Sequence, residues 1–146
     1  MRRSQKADYA LRAALDLALQ VAAERPARTA EIARRTGAPV KFLEAVLGHL
    51  RRAGLVDSQR GRQGGHRLSR PPARISAGEV WRAVDGPIGL AARTGRRRAP
   101  SEGPARAVDQ LWTEVEGVVQ RTVDGVSLED LARRSQEISS VPDFSI

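Results

Sequence analysis

The sequence predicts a mainly α-helical fold, in which a winged helix-turn-helix domain is followed by a long C-terminal dimerisation helix. Three observations predict it: two amphipathic segments joined by the tripeptide GAP, a hairpin-like stretch rich in glycine and arginine, and a late helix with a continuous apolar stripe. The expected organisation is a DNA-binding domain over residues 1–86, a flexible loop over 87–104, and the dimerisation helix with its tail over 105–146.

The first helix is expected to start after Ser4, a good N-cap residue, and to run to about Glu24. Its beginning loosely resembles a signal peptide, with basic residues before apolar ones. However, Asp8, Arg12 and Asp16 interrupt the apolar run at helical spacing, which indicates an amphipathic helix. No run reaches the length of a membrane span, so a cytoplasmic location is expected.

The helix-turn-helix is predicted from two short helices. Thr29 is the expected N-cap of the first, which ends at Gly37. The second covers about residues 40–53 and is closed by Gly54 in a left-handed conformation. Its inward-facing residues are expected to be Val40, Leu43, Val46, Leu47 and Leu50.

The stretch DSQRGRQGGHRLSR, residues 57–70, is predicted to be the wing, with two short strands joined by a glycine-rich tip. Glycines allow close approach to a partner, and arginines beside them suit phosphates or a narrow minor groove. A structural loop or a mononucleotide loop is the alternative. A P-loop pattern is absent, however, and the stretch precedes a strand rather than a helix, which favours contact with nucleic acid.

After the wing, Ser76 and Glu79 form a capping box for a helix to about Val84. The longest helix is expected over residues 105–124, and a Ser127–Asp130 cap starts a last helix to about Ser135. The apolar stripe of the longest helix is too large for the remaining chain to cover, so a second copy is its expected partner. The dimerisation residues are Val108, Leu111, Trp112, Val115, Val118 and Val119.

Charge and composition restrict the classes of function that this chain can have. The net charge is +8, and residues 1–75 hold 16 Lys+Arg against 6 Asp+Glu, so the basic excess lies in the first half. A genome that favours arginine codons would explain why arginine outnumbers lysine. It would not explain why basic residues outnumber acidic residues in the first half of the chain. There are no cysteines, which removes disulfides, thiolate nucleophiles and cysteine-ligated clusters, and the two histidines alone cannot hold zinc. No metal site and no cofactor are therefore expected.

These residues carry a specific resemblance. The runs KADYALRAALDLAL, LRRAGLVDSQRGRQGGHRL and GEVWRAVDGP are similar to the Rrf2 family of bacterial regulators (the IscR, NsrR and CymR group), densely over about residues 1–88. The run LWTEVEGVVQRTVDGVSLEDL resembles the dimerisation helix of that family. The resemblance implies a homodimer that binds double-stranded DNA at a palindromic operator. Many members hold an iron–sulfur cluster through three cysteines in the loop that corresponds to residues 88–104, where this chain has none.

The resemblance also assigns residues by position. Lys41, Phe42 and Glu44 would begin the recognition helix, and Arg60 would enter the minor groove. His66 stands where the family usually has an aromatic residue, often tyrosine. Asp8 falls in a region from which some members supply a cluster ligand, but without thiolates it is interpreted as a helix-surface residue. The remaining implied positions are Lys6 and Tyr9, near the DNA backbone, and Gly61, Gly64 and Gly65, which shape the wing.

The residue chemistry adds further contacts. Lys41 and Glu44 are expected to face base edges, and Arg60 and Arg62 the minor groove or nearby phosphates. The expected phosphate contacts are Thr29, Arg51, Arg52 and Arg67. Two alternatives stay open: Arg51 and Arg52 could be a solvated helix end, and Glu44 could pair with Lys41 within the helix.

The leading hypothesis is a sequence-specific DNA-binding transcriptional regulator, most simply a repressor, that acts as a homodimer without an iron–sulfur cluster. Its effector, a protein or a small molecule, is not specified by the sequence. The alternative is a protein-interaction module that binds DNA weakly and without sequence preference. We expect no enzyme and no catalytic residues, because the sequence has no nucleophile elbow, metal cluster or phosphate loop.

Overall fold

The computed structural model describes residues 3–89 and 102–142. The described part is mainly α-helical, as predicted, with one two-stranded antiparallel sheet. A short 3-10 helix, Pro72–Arg74, follows the sheet. The helices are α1 (Gln5–Leu19), α2 (Thr29–Thr36), α3 (Val40–Arg52), α4 (Ala77–Asp85), α5 (Pro104–Asp124) and α6 (Leu128–Ser140), and the strands are β1 (Val56–Gln59) and β2 (Gly65–Leu68).

Helix α1 begins as predicted but ends earlier. The Ser4 hydroxyl accepts a hydrogen bond from the Ala7 N–H at 3.2 Å, which caps the helix. The helix stops at Leu19 rather than near Glu24, so the predicted end was wrong. The reason lies in tertiary structure: Ala27 forms an antiparallel bridge with His66, and the chain must turn before it to reach the sheet.

Helices α2 and α3 form the predicted helix-turn-helix. Gly37 ends α2 with a φ of 73°, a left-handed conformation that glycine adopts without strain. Thr29 is the first residue of α2 rather than its N-cap, a position that Arg28 takes. At the other end, the Leu55 N–H donates to the Leu50 carbonyl at 3.0 Å, so the chain folds back onto the last turn of α3.

The buried side of α3 holds Leu43, Val46, Leu47 and Leu50. Val40 was also expected to point inward, but its side chain is 46% exposed. Val40 is the first residue of α3 and does not belong to the core, whereas Leu43 in the same turn is fully buried. The start of α3 is therefore available to a partner.

The wing is the hairpin β1–β2, in which Ser58 lies opposite His66 and Asp57 opposite Arg67. The segment before α2 adds to it, because Ala27 exchanges two backbone hydrogen bonds with His66, at 2.7 and 2.9 Å. Gly65 permits this approach: a Cβ there would lie 2.6 Å from the Ala27 carbonyl oxygen. The wing is thus tied directly to the start of α2.

One hydrophobic core joins the winged helix to α6. Alanines line the buried face of α1, which lets neighbouring helices pack closely. Ile75, Val80 and Leu128 are fully buried in the same core. The Leu128 N–H donates to the Ile75 carbonyl at 2.9 Å, so α6 is anchored beside the start of α4.

Both predicted capping boxes of the C-terminal half are present. The Glu79 N–H donates to the Ser76 hydroxyl at 3.1 Å, and the Asp130 N–H donates to the Ser127 hydroxyl at 3.0 Å. Helix α6 continues to Ser140, five residues past its predicted end, since no helix-breaking residue precedes Pro142. Most of the loop predicted at 87–104 lies outside the described residues, as does the end of the tail.

Candidate nucleic-acid interface

The exposed side of α3 carries charge. Lys41, Glu44, Arg51 and Arg52 are all exposed, whereas the apolar residues between them face the core. No ion pair joins Glu44 to Lys41 within residues 3–89 and 102–142, so the Glu44 carboxylate is free to accept from a base edge or a solvent molecule. The arrangement resembles a helix that presents one polar face to a nucleic-acid groove.

Tyr9 and Phe42 connect the start of α3 to α1. Their rings lie 5.2 Å apart, centroid to centroid, in an edge-to-face arrangement at 66°. Both side chains are half-buried, so their contact fixes where the first turn of α3 lies. Lys6 is exposed one turn before Tyr9 on α1, which places its ammonium group on the side of the molecule where α3 begins.

The tip of the wing is a tight glycine turn. Gly61 has a φ of 103° and open space around it, whereas a Cβ on Gly64 would lie 2.3 Å from the Gln59 carbonyl oxygen. Arg60 and Arg62 flank Gly61 and are exposed. The guanidinium of Arg28 donates to the Arg62 carbonyl, which ties the tip to the start of α2.

The hairpin separates the predicted phosphate contacts into two groups. Residues directly opposite in the register share a face, so Ser58 and His66 point one way and Arg67 the other. On the first face lies a cavity of about 130 Å³ between α2, α3 and the hairpin, lined by Thr29, Glu44, Leu47, Gly48, Arg51, Ser58 and His66. On the second face, Arg67 lies in a wider groove with Arg25, Arg28, Arg62 and Gly64.

His66 links three elements at the first cavity. Its Nε2 lies 3.0 Å from the Thr29 hydroxyl of α2, and its Nδ1 lies 2.8 Å from the Ser58 hydroxyl of β1. Burial lowers the pKa of the His66 imidazole below its usual value, and the positive charge of Arg51 on α3 lowers it further. In the free protein the ring is therefore neutral at pH 7.

Sequence reasoning missed Arg28, Ser58 and the hydrogen bonds of His66 in this region. The alternation in LVDSQ could have placed Ser58 on the same strand face as Val56. No local signal could have brought Thr29 to His66, because 37 residues separate them and the contact depends on the Ala27 pairing.

Helix α5 exposes much of its apolar stripe. Val108, Leu111, Trp112 and Val118 are each between 51% and 55% exposed, and Val115 and Val119 are half-buried. Large apolar side chains at this exposure on one helix are typical of an interface. The inner side of α5 is fixed to α4, where Arg82 donates to Asp124 at 2.7 Å.

The donor set does not fit a cysteine-ligated iron–sulfur cluster, because the chain has no cysteine. Among the described residues, no three His, Asp or Glu side chains cluster as a metal site would require. Asp8 is held in a surface ion pair with Arg12 at 3.1 Å. None of the described helices is both long and apolar enough to cross a bilayer.

Comparison with known proteins identifies the family. The Rrf2 family, described as iron-dependent transcriptional regulators, matches residues 3–134. The chain belongs to the Rrf2 family. Curated relatives include an HTH-type transcriptional regulator of Mycobacterium tuberculosis, 36% identical over 132 residues, which are 90% of this chain and 81% of that protein. The HTH-type transcriptional regulator IscR of Aliivibrio salmonicida is also 36% identical, over 90% of this chain and 77% of its own.

Solved structures of Rrf2 proteins share the fold. CymR, the global cysteine regulator of B. subtilis, is 33% identical and superposes with a TM-score of 0.77 over 92% of this chain and 98% of its own. IscR of T. potens gives a TM-score of 0.78 at 27% identity, over 99% of this chain and 95% of its own. This Rrf2 protein is therefore a winged-helix transcriptional regulator, as the sequence predicted.

Proposed function

We propose that this Rrf2 protein is a homodimeric repressor that binds an inverted-repeat operator and carries no iron–sulfur cluster. The observation that carries the proposal is the convergence of the exposed charged side of α3 and the arginine-flanked wing tip, in a chain whose α5 exposes an apolar stripe. Two copies joined along α5 would present two such surfaces, which matches the two half-sites of a palindrome.

The division of roles follows from chemistry. Lys41 and Glu44 lie at the start of α3 and would read base edges, Glu44 by accepting from a cytosine amine. Arg60 and Arg62 at the wing tip would enter the minor groove, where a narrow groove attracts guanidinium groups. Phosphate contacts would come from Lys6, Thr29, Arg51, Arg52 and Arg67, and the basic first half would supply most of the affinity.

Tyr9 and Phe42 would act by placing the first turn of α3, since their rings pack against each other. Gly61, Gly64 and Gly65 would shape the wing. The dimer would bury Val108, Leu111, Trp112, Val115, Val118 and Val119. We place the activity in the cytoplasm, with the chromosome, and assign control to an effector protein or a small molecule rather than to a cluster.

Selection from a pool of random duplexes tests the proposal, combined with sedimentation of the purified protein. We expect a dimer in solution and recovery of an inverted repeat whose half-sites are about one helical turn apart. A dimer that recovers no sequence would favour the protein-interaction module. A monomer that binds no duplex would overturn the proposal.

A further inference from the structure

We propose that the cavity between α2, α3 and the wing is a phosphate subsite, and that His66 takes up a proton when a DNA backbone phosphate enters it. This inference rests on the proposed function, since it assumes that the winged helix binds DNA. It adds a proton-linked contact, made by Ser58 and His66, to the contacts already assigned.

The cavity has the size and the donors for a phosphate group. Its volume of about 130 Å³ corresponds to about four water molecules of liquid, which suits a single phosphate. Thr29, at the start of α2, brings a hydroxyl to the cavity beside His66. Arg51 brings a guanidinium from α3, and Ser58 brings a hydroxyl from β1. Three separate elements therefore aim donors at one space.

Glu44 is the one acidic residue that lines the cavity. It precedes Arg51 by seven residues on α3, so the two positions are about 10 Å apart along the helix axis. Because the charge of Arg51 acts on the pKa of His66, a phosphate held by Arg51, Thr29 and Ser58 would lie on the His66 side of the cavity. The carboxylate stays available for a base edge.

The hydrogen bonds of His66 explain why a proton would be gained. A neutral imidazole has one N–H and one acceptor nitrogen, so one of its two hydroxyl partners, Thr29 or Ser58, must donate to the ring. In the protonated ring both nitrogens donate and both hydroxyls accept. Each hydroxyl then has its own proton free for a phosphate oxygen. Protonation therefore adds a positive charge and releases one more donor.

The other charges around His66 keep it neutral until DNA arrives. Arg51 and Glu44 face it from α3. Arg25 and Arg70 line a second pocket that also reaches His66, but each is neutralised by an ion pair at 3.0 Å, with Glu31 and Glu79 respectively. Arg67 lies on the opposite face of the hairpin. Burial is the main factor that disfavours an imidazolium, and the positive charge of Arg51 acts in the same direction. The negative charge of a bound phosphate would instead favour the protonated imidazole.

Proton uptake by His66 determines the direction in which the DNA affinity changes with pH. If DNA raises the pKa of His66 above its value in the free protein, the complex binds more protons than its parts, and affinity rises as the pH falls through the pKa of the bound state. The gain ends below the pKa of the free protein, where both states are protonated. The change is at most about tenfold per pH unit for each protomer.

The test measures binding of a mixed-sequence duplex by fluorescence anisotropy, at constant ionic strength, between about pH 5.5 and 8, the range in which histidine titrates. A phosphate contact does not depend on base sequence, so this probe needs no known operator. We expect the wild type to bind several-fold more tightly at the lower pH. His66→Gln should remove this dependence, because glutamine keeps a hydrogen bond but cannot be protonated.

His49→Gln is the matched control, since His49 and His66 are the only histidines of the chain. His49 contacts Arg52 through its Nδ1, at 3.2 Å, and does not line the cavity, so its loss should leave the pH dependence intact. NMR titration of the His66 ring in the wild type, free and with duplex, gives a readout that requires no variant. We expect the pKa of His66 to be higher in the complex.

The outcomes separate the two proposals. Binding with a pH-independent affinity, or an equal pKa of His66 with and without duplex, overturns proton uptake but leaves the repressor proposal intact. If the pH dependence persists in His66→Gln and disappears in His49→Gln, His49 is the residue that takes up the proton. This result also overturns the proposal for His66. No binding at any pH in low salt is a failure of the proposed function itself.

Discussion

The guanidinium of Arg35 donates two hydrogen bonds to the Asp16 carboxylate, from Nε at 2.8 Å and from Nη2 at 3.0 Å. The pair joins the last turn of α1 to α2. Asp16 is the only polar residue among the buried residues of the described chain. The bidentate geometry satisfies both carboxylate oxygens, so this charge fixes the orientation of the helix-turn-helix on α1.

Breaking this pair should cost considerable stability. We expect Asp16→Ala to lower the free energy of unfolding by about 2–4 kcal/mol, because it leaves Arg35 without its partner in a partly buried position. Urea denaturation followed by circular dichroism measures the loss. The control is Arg133→Gln, which breaks the exposed pair with Asp130 and should change the stability far less. Equal losses in the two variants would show that the Asp16 pair has no special role.

Gly65 should be much less replaceable than Gly61, the other wing glycine with a positive φ. In Gly65→Ala, a Cβ would lie 2.6 Å from the Ala27 carbonyl oxygen, and the φ of 149° is unfavourable for alanine. We expect a loss of about 2–4 kcal/mol of stability and weaker duplex binding, since the wing would detach from the start of α2. Gly61→Ala, at a φ of 103° in open space, carries only the backbone strain and should cost about 1–2 kcal/mol. Thermal unfolding and anisotropy measure the two effects, and a larger loss for Gly61→Ala would contradict this account.

Local chemistry explains which elements could be predicted. Ser76 with Glu79, Ser127 with Asp130, and Gly37 are signals that act within one turn, so the sequence locates the helix ends they control. The end of α1 has no such signal, because pairing of Ala27 with the hairpin sets it. Val40 follows the spacing of the apolar residues of α3, but its side chain is exposed and does not belong to the core.

The residues of the candidate interface also fall into two groups, those that local sequence predicts and those whose position depends on tertiary packing. The exposure of Lys41, Glu44 and Arg60 follows from the helical period and the turn chemistry, and the sequence predicts it. The position of Arg67 on the opposite face of the hairpin from His66 depends on strand register, which a glycine-rich loop specifies poorly. The cavity that joins Thr29 to Ser58 exists only once α2 and the wing are packed together.

Charge placed on the apolar stripe of α5 should dissociate the proposed dimer. Trp112 is 51% exposed, so Trp112→Lys leaves the fold of one chain intact while placing an ammonium group in the proposed interface. We expect sedimentation to show a monomer, and duplex binding to weaken because the two half-sites are no longer engaged together. Thr113→Lys introduces the same charge at an exposed polar position beside it and should remain dimeric. If Trp112→Lys remains dimeric, the dimer interface does not include Trp112.

The wing tip should contribute directly to binding. Arg60→Ala is expected to weaken operator binding by about 1–3 kcal/mol and to reduce the salt dependence of the affinity, because one phosphate or minor-groove contact is lost. Arg134→Ala removes an exposed arginine from α6, away from the wing, and should change neither quantity. An affinity and a salt slope that Arg60→Ala leaves unchanged would remove the wing tip from the interface.

His66 should also make stability depend on pH, in the opposite direction to its proposed effect on DNA binding. Burial, followed by the charge of Arg51, lowers the pKa of His66 in the folded protein below its unfolded value. The folded state therefore holds fewer protons than the unfolded state between these two pKa values. The stability that the neutral ring contributes is fully present above about pH 6.5 and is lost as the pH falls towards the pKa of the folded state. Melting temperatures of the wild type and His66→Gln, measured without DNA, should differ less at low pH than at neutral pH. A difference that stays constant would mean that the folded environment does not shift the pKa of His66.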